Sequence, residues 1–246
     1  MTLRPNIIVG QQATDVVLAD KDFVSQCTSA ITQAGKFPER YARLIDLYYI
    51  LERLDLQPSD DVLEVGAWET FAFASISGRV KSLTVSDDFS WAQREYARRL
   101  SLQPSTWIDA VKTYPNTAAA SMDIQKLSQY NIKVDKIYSI SVLEHVIDDL
   151  TGLKEMRKIL RPGGRCVLST EINLFTDMPY RPDVFFRVYR PEQVISLARQ
   201  AGFHVIDDLI IPMPNDIIYR KMKEAEGKPD ALVHSQYFTT GIFTLE

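Results

Sequence analysis

Cysteine is almost missing from this chain of 246 residues: Cys27 and Cys166 are the only two. Neither stands at metal-ligand spacing from a histidine or another thiol, so neither a zinc module nor a disulfide scaffold is expected, and the usage fits a reducing compartment. No run approaches the roughly 18 apolar residues that a membrane span needs. The segment Met1 to Asp20 lacks a basic start, an apolar centre and a small-residue cleavage site, so a secretory signal is not expected and a cytoplasmic location is. Basic residues are not in excess either. With 28 Lys and Arg against 32 Asp and Glu, the formal charge of −4 argues against a general phosphate-backbone binder, and no nucleic-acid partner is expected. Also absent are the Gly-x-Ser-x-Gly elbow of serine hydrolases and the Gly-x-x-x-x-Gly-Lys phosphate loop.

What the chain has is an ordinary globular composition, 46% hydrophobic and 24% charged, arranged in alternating elements. Residues 1–37 show short apolar pieces without sustained period and are expected to be an extension or lid, with a helix around Asp22 to Ala34. From Pro38 onward, Tyr41, Leu44, Ile45, Tyr48 and Leu51 recur at helical spacing. Val62 to Val65 is an apolar strand that ends at Gly66, and Phe71 to Ile76 begins a helix behind that turn. Ser82 to Ser86 is a second strand ending in Asp87 and Asp88, with Ser90 capping a helix over Trp91 to Leu100. Residues 101–116 read as an inserted loop or short helix. Thr117 to Met122 is a third strand running into Asp123 and Ile124, and Val134 to Ile140 a fourth. A helix capped by Asp148 or Asp149 ends at Pro162-Gly163-Gly164, and Arg165 to Thr170 is the fifth strand. A helix from Pro191 closes at Gly202; His204 to Ile211 and Gln236 to Leu245 are the last two strands. This alternation is that of a doubly wound sheet with helices on both faces.

Acidic residues at strand ends give the pattern its chemistry. A carboxylate after the second strand, Asp87, can accept hydrogen bonds from both hydroxyls of a ribose; alternatively Asp87 and Asp88 only begin a turn. Asp123 is placed to meet an exocyclic amine, with Met122 and Ile124 flanking a flat base, or it too is a turn former. Gly66-Ala67-Trp68-Glu69-Thr70 holds too few glycines to cradle a pyrophosphate.

The segments Ile137 to Val146, with Leu143-Glu144-His145, and Leu160-Arg161-Pro162-Gly163-Gly164, spaced behind Glu64-Val65-Gly66, resemble the class I S-adenosylmethionine (SAM) dependent methyltransferases, in particular the small-molecule branch that includes ubiquinone and menaquinone biosynthesis enzymes. The resemblance covers roughly Asp61 to Phe243. It implies an α/β Rossmann-like, doubly wound sheet of seven strands, mostly parallel with the last antiparallel, in a domain over 38–246. It also implies SAM as cofactor, held by Glu64, Gly66, Ala67, Trp68, Asp87, Asp88, Met122, Asp123, Ile124, Ser139 and Ile140, with no metal. The chain departs from the family where Ala67 and Trp68 replace further glycines, so Trp68 must either turn outward or cover the cofactor. His145, past the fourth strand, is the expected general base for an oxygen acceptor; a structural or cofactor-contacting histidine is the alternative. Acceptor recognition is assigned to Ile172 to Val188, rich in aromatics and arginine, aided by the N-terminal extension. The expected function is methyl transfer to a small molecule, with a hydroxyl of a sugar or secondary metabolite favoured. A SAM-binding regulatory or partner subunit without catalysis is the other reading.

Overall fold

The computed structural model describes residues 6–9, 21–25, 29, 41–68, 70–90, 103–206, 208–211 and 216–246. In chain order the elements are β1 (Asn6–Val9), α1 (Tyr41–Leu54), β2 (Asp61–Val65), α2 (Phe73–Ile76), β3 (Ser82–Asp87), α3 (Pro104–Lys112), β4 (Thr117–Ser121) and β5 (Val134–Ile140). They continue as α4 (Asp149–Ile159), β6 (Leu160–Ile172), β7 (Met178–Arg181), β8 (Phe186–Val188), α5 (Pro191–Gln200), β9 (Asp208–Ile211), α6 (Asp216–Glu224) and β10 (Thr239–Leu245).

The sheet order is β1-β9-β10-β6-β5-β2-β3-β4. Every pairing is parallel except those of β10, which runs antiparallel between β6 and β9. The seven expected strands are therefore present with the last one reversed, and Asn6–Val9 adds an eighth at the edge beside β9. That strand was not expected: four residues are too few to show a period of two, and only the open edge of β9 gives them hydrogen-bond partners. Of the expected N-terminal helix, residues 21–25 are helical; the helix over Trp91 to Leu100 lies outside the described residues.

Side chains alternate across the sheet. Val62, Val85, Tyr138 and Val167 pack on the face covered by α1, α2 and α3, while Leu63, Ile137, Cys166 and Leu168 pack under α4 and α5. A strand buried on both faces must be apolar at nearly every position, which is why β2 and β6 read as continuous runs. The Pro162-Gly163-Gly164 turn does not precede β6 but lies inside it, where the register against β5 shifts between Val134 and Lys136. A Cβ on Gly164 would stand 2.7 Å from the Asp135 carbonyl, so only glycine lets the bulge close. The sixth expected strand is shorter than its apolar pattern, since regular pairing covers Asp208–Ile211 and Val205 makes only one bridge to Leu245.

Above the carboxyl end of β6 and the amino end of β10 sits a small cap. Its core is Met178, Val188, Ala225 and Leu232, so the β7–β8 hairpin and the segment from α6 to Tyr237 form one unit. Asn173 ties them: its Nδ2 donates to the Met222 and Tyr237 carbonyls at 3.1 and 2.6 Å, and its Oδ1 accepts from the Phe175 and Thr176 amides. Asn173 itself is fully buried, and removing the amide strands four backbone groups. Asn173→Ala is expected to cost roughly 3 kcal/mol and to expose 216–238 to limited proteolysis before global unfolding. Cleavage that begins only at the global transition would rule out this tie.

Candidate active site

The site is built where strand order reverses, between β2 and β5, because chain leaving adjacent strands in opposite directions opens a crevice there. β2 leaves the sheet at Gly66, whose φ is +69°. A Cβ at Gly66 would lie 2.3 Å from Val142 Cγ2, so the turn requires glycine for its backbone and for the loop that follows β5. Ala67 donates its amide to the Ser86 carbonyl at 2.9 Å and is fully buried, which fixes the loop against β3. Trp68 donates its backbone N–H to Asp87 Oδ2 at 3.1 Å and packs its indole against the core cluster of α1, α2 and α3; its Nε1 is buried without a partner. The tryptophan that replaces the expected glycine is thus part of the wall of the loop.

Glu64 is fully buried, and both of its carboxyl oxygens meet protein hydroxyls. Tyr138 donates to its Oε2 at 2.6 Å, and Thr70 Oγ1 lies 2.5 Å from its Oε1 and 2.9 Å from the Ala67 carbonyl. One hydroxyl proton cannot serve both acceptors. A protonated Glu64 that donates to Thr70, which in turn donates to Ala67, satisfies all three groups. Burial pushes the carboxyl up to about 8, against the lowering effect of its two hydrogen bonds, so it is neutral at pH 7. Glu64, expected to hold the cofactor, is in this structure a neutral brace under the turn.

Asp87 is half-buried at the end of β3. Its Oδ2 accepts from Trp68 and its Oδ1 from the Phe89 amide at 2.7 Å. Each carboxylate oxygen keeps a second lone pair, enough for two ribose hydroxyls. Burial raises its pKa to about 6 despite those two bonds. Asp88 is exposed and caps a turn through the Ser90 amide. Asp123 begins a short 3-10 turn by accepting from Gln125 N, and its other oxygen pairs with Lys126 at 2.9 Å. Ile124 is turned under α4 against Gly152, and Met122 packs on the same cluster, so the expected pair flanking a base is not formed by Ile124. Ser139 donates to the Val65 carbonyl, and Ile140 is buried in the first core cluster; both hold the strand ends together.

His145 lies in a single 3-10 turn over Leu143–His145, past β5. Its Nδ1 is 2.8 Å from the Phe185 carbonyl, at the tip of the β7–β8 hairpin, and its ring meets the Phe186 ring edge-on at 6.4 Å. Asp87 and His145 therefore stand at the ends of β3 and β5, on either side of the reversal point. Arg187, grouped only by composition in the sequence, donates to Asp149, Val146 and Ile147 and is nearly buried. The Lys154, Arg157, Lys158 and Arg161 group forms no basic stripe on the crevice. Lys158 pairs with Glu155, and Arg161 with Asp61 and Asp135 at the opposite end of the strands.

The nucleoside end of SAM fits these residues: a glycine turn, a half-buried carboxylate with acceptor capacity left, and an indole N–H still in need of an acceptor beside them. Two outcomes follow from the brace. Between about pH 4.5 and 8 the folded chain holds a proton on Glu64 that the unfolded chain releases, so this stabilisation fades as pH rises through that window. Glu64→Gln is expected to flatten the dependence of the urea midpoint on pH; a slope equal to that of the parent would refute a neutral Glu64. Gly66→Ala is expected to destabilise by roughly 2–3 kcal/mol from the left-handed φ and the clash, with Val142→Ala restoring only part. Full restoration in calorimetric melting would show that the backbone angle carries no cost.

Residues 33–208 match the sequence profile of a methyltransferase domain family. The chain is 27% identical over 170 residues to the O-methyltransferase cnsE of Penicillium expansum, covering 63% of this chain and 56% of that protein. It spans about half the length of the curated relatives it matches. Coclaurine N-methyltransferase, solved with N-methylheliamine and S-adenosylhomocysteine (SAH), superposes with a TM-score of 0.60 at 13% identity, over 96% of this chain and 85% of that one. The (4+2)-cyclase SpnF superposes with the same score at 14% identity, over 98% of both. Such distant likeness speaks for the fold, while the profile spans most of the chain. The protein belongs to the methyltransferase domain family, as a class I member of the SAM-dependent kind.

Proposed function

We propose that this chain transfers the methyl group of SAM to a small-molecule acceptor in the cytoplasm, with a hydroxyl oxygen of a sugar or secondary metabolite the favoured target. The observation that carries this reading is the placement of Asp87 and His145 at the ends of β3 and β5 across the reversal point. The name of the fungal relative supports oxygen as the accepting atom.

SAM supplies an already electrophilic methyl group, so the protein has to bind, orient and dry the reactants. Asp87 accepts the ribose hydroxyls with the lone pairs that Trp68 and Phe89 leave. Trp68 and Ala67 hold the loop under the methionine end. His145 takes the proton of the acceptor hydroxyl at Nε2, because Nδ1 faces a carbonyl and must itself carry hydrogen. The aromatic cap of residues 173–188 covers the acceptor and excludes water.

A second reading is a SAM-binding subunit without methyl transfer. It is favoured by the tryptophan that stands where the family places a glycine, and the likeness to a cyclase supports a fold open to other reactions.

Calorimetry with SAM and SAH tests the first claim, and absence of binding by either would sink it. Affinity for SAH is expected to fall as pH drops below about 6, where Asp87 protonates and loses acceptor capacity. Asp87→Ala should weaken SAH binding by about tenfold or more, and unchanged affinity would remove the ribose assignment. Transfer of labelled methyl from SAM to a panel of hydroxylated metabolites separates the two readings: binding without transfer to any of them favours the subunit.

A further inference from the structure

Three consecutive residues of the hairpin arm grip the turn that carries His145. The Phe185 carbonyl receives His145 Nδ1 at 2.8 Å. The Phe186 ring packs edge-on against the imidazole. The Arg187 guanidinium donates Nη2 to the carbonyls of Val146 and Ile147 at 2.6 and 2.8 Å, and Nη1 to Asp149 Oδ2 at 2.5 Å. Arg187 is also wedged beside Tyr180 and Tyr189, with its guanidinium carbon 5.2 and 5.8 Å from their ring centroids. Tyr189 adds its hydroxyl to the same Asp149 oxygen at 2.9 Å.

We propose that Arg187 is the positioning residue for His145: by pinning residues 146–149 to the arm, it sets the Phe185 carbonyl against Nδ1 and so fixes the tautomer of the imidazole that carries its proton there. The inference rests on the reading of His145 as the base. Three features argue for a built device. A guanidinium with three fixed oxygen acceptors and only 13% side-chain exposure is an expensive way to close a loop, because burial of the charge is offset only by those contacts. Phe185 holds a φ of +63°, a region that bulky residues rarely adopt, and this is the residue whose carbonyl meets the imidazole. Neutral histidine in water favours the proton on Nε2, so the opposite tautomer has to be imposed by a fixed acceptor at Nδ1. A carbonyl anchored two residues before a three-point arginine supplies that acceptor.

Long-range nitrogen–proton NMR on the full chain reads the tautomer without any substrate. The three histidines make assignment simple, with His145→Gln marking the resonance that disappears. The parent is expected to show neutral His145 protonated at Nδ1; protonation at Nε2 would overturn the proposal. Arg187→Met is expected to give a mixture of tautomers and to lower turnover about 10- to 100-fold while SAH affinity stays within about twofold. Arg187→Lys, which can reach one or two of the three oxygens, should lie between. An unchanged tautomer and rate in Arg187→Met would refute the assignment. Should that variant fail to fold, Phe186→Leu keeps the apolar volume and removes the ring edge. It should broaden the same resonance, and an unchanged signal there would equally reject the clamp. Loss of SAH binding in the parent would remove the methyl-transfer reading and leave the tautomer result standing, so the two failures are distinct.

Discussion

The structure turns on a carboxyl group that cannot reach water. Glu64 lies in the central strand β2, at the crossing of the sheet, and its neutral form links that strand to β5 through Tyr138 and to the following turn through Thr70. An ionised carboxylate at this depth would be costly, and a hydrophobic residue would remove the group that links Tyr138 to Thr70. The protonated acid meets both demands with one side chain. It therefore fixes the height and direction of the turn at Gly66, and through Ala67 and Trp68 the turn fixes where Asp87 points.

The same chemistry at three neighbouring strand ends leads to three different roles, and burial decides which. Glu64, wholly enclosed, becomes a structural acid. Asp87, partly enclosed, stays near the boundary of ionisation and keeps lone pairs toward the crevice. Asp123, about one quarter exposed, is claimed by Lys126 and by the cap of its own turn, and its carboxyl is held below the usual range despite some desolvation. A carboxylate already paired in this way gains less from a further donor than one with lone pairs to spare.

The alternation of strands and helices was legible in the sequence because both faces of the sheet are covered, so periodicity and punctuation point the same way. Val134 to Ile140 begins and ends where its apolar run does. Strand ends were legible as candidate ligands, since a carboxylate after an apolar run is a positional signal. What could not be read was direction. Ile124 follows Asp123 in the chain, yet it belongs to the packing of α4 over Gly152, and no spacing rule distinguishes that from a wall beside a base. Glu64 fits the family pattern for a ligand, and only its enclosure by Tyr138, 74 residues away, makes it a brace. Arg187 was one basic residue in an aromatic stretch; its three oxygen partners come from a turn 38 to 41 residues earlier. The segment after β9 showed only polarity, because its apolar contacts are few and directed at a hairpin and not at the sheet.

Those contacts tie the hairpin and the segment from α6 into one cap beside the sheet. The cap is held at Asn173, at the end of β6, and at residues 185–187, which meet the turn after β5. A cap held only by its small apolar core would open with a low cost and leave His145 without a fixed partner. One held by many contacts to β2 and β3 would block cofactor exchange. Anchoring it at the end of β6 and at the β5 loop leaves the turn after β2 to its own brace. The side of Glu64 and Asp87 is braced by the sheet and the turn after β2, and the side of His145 by the hairpin arm.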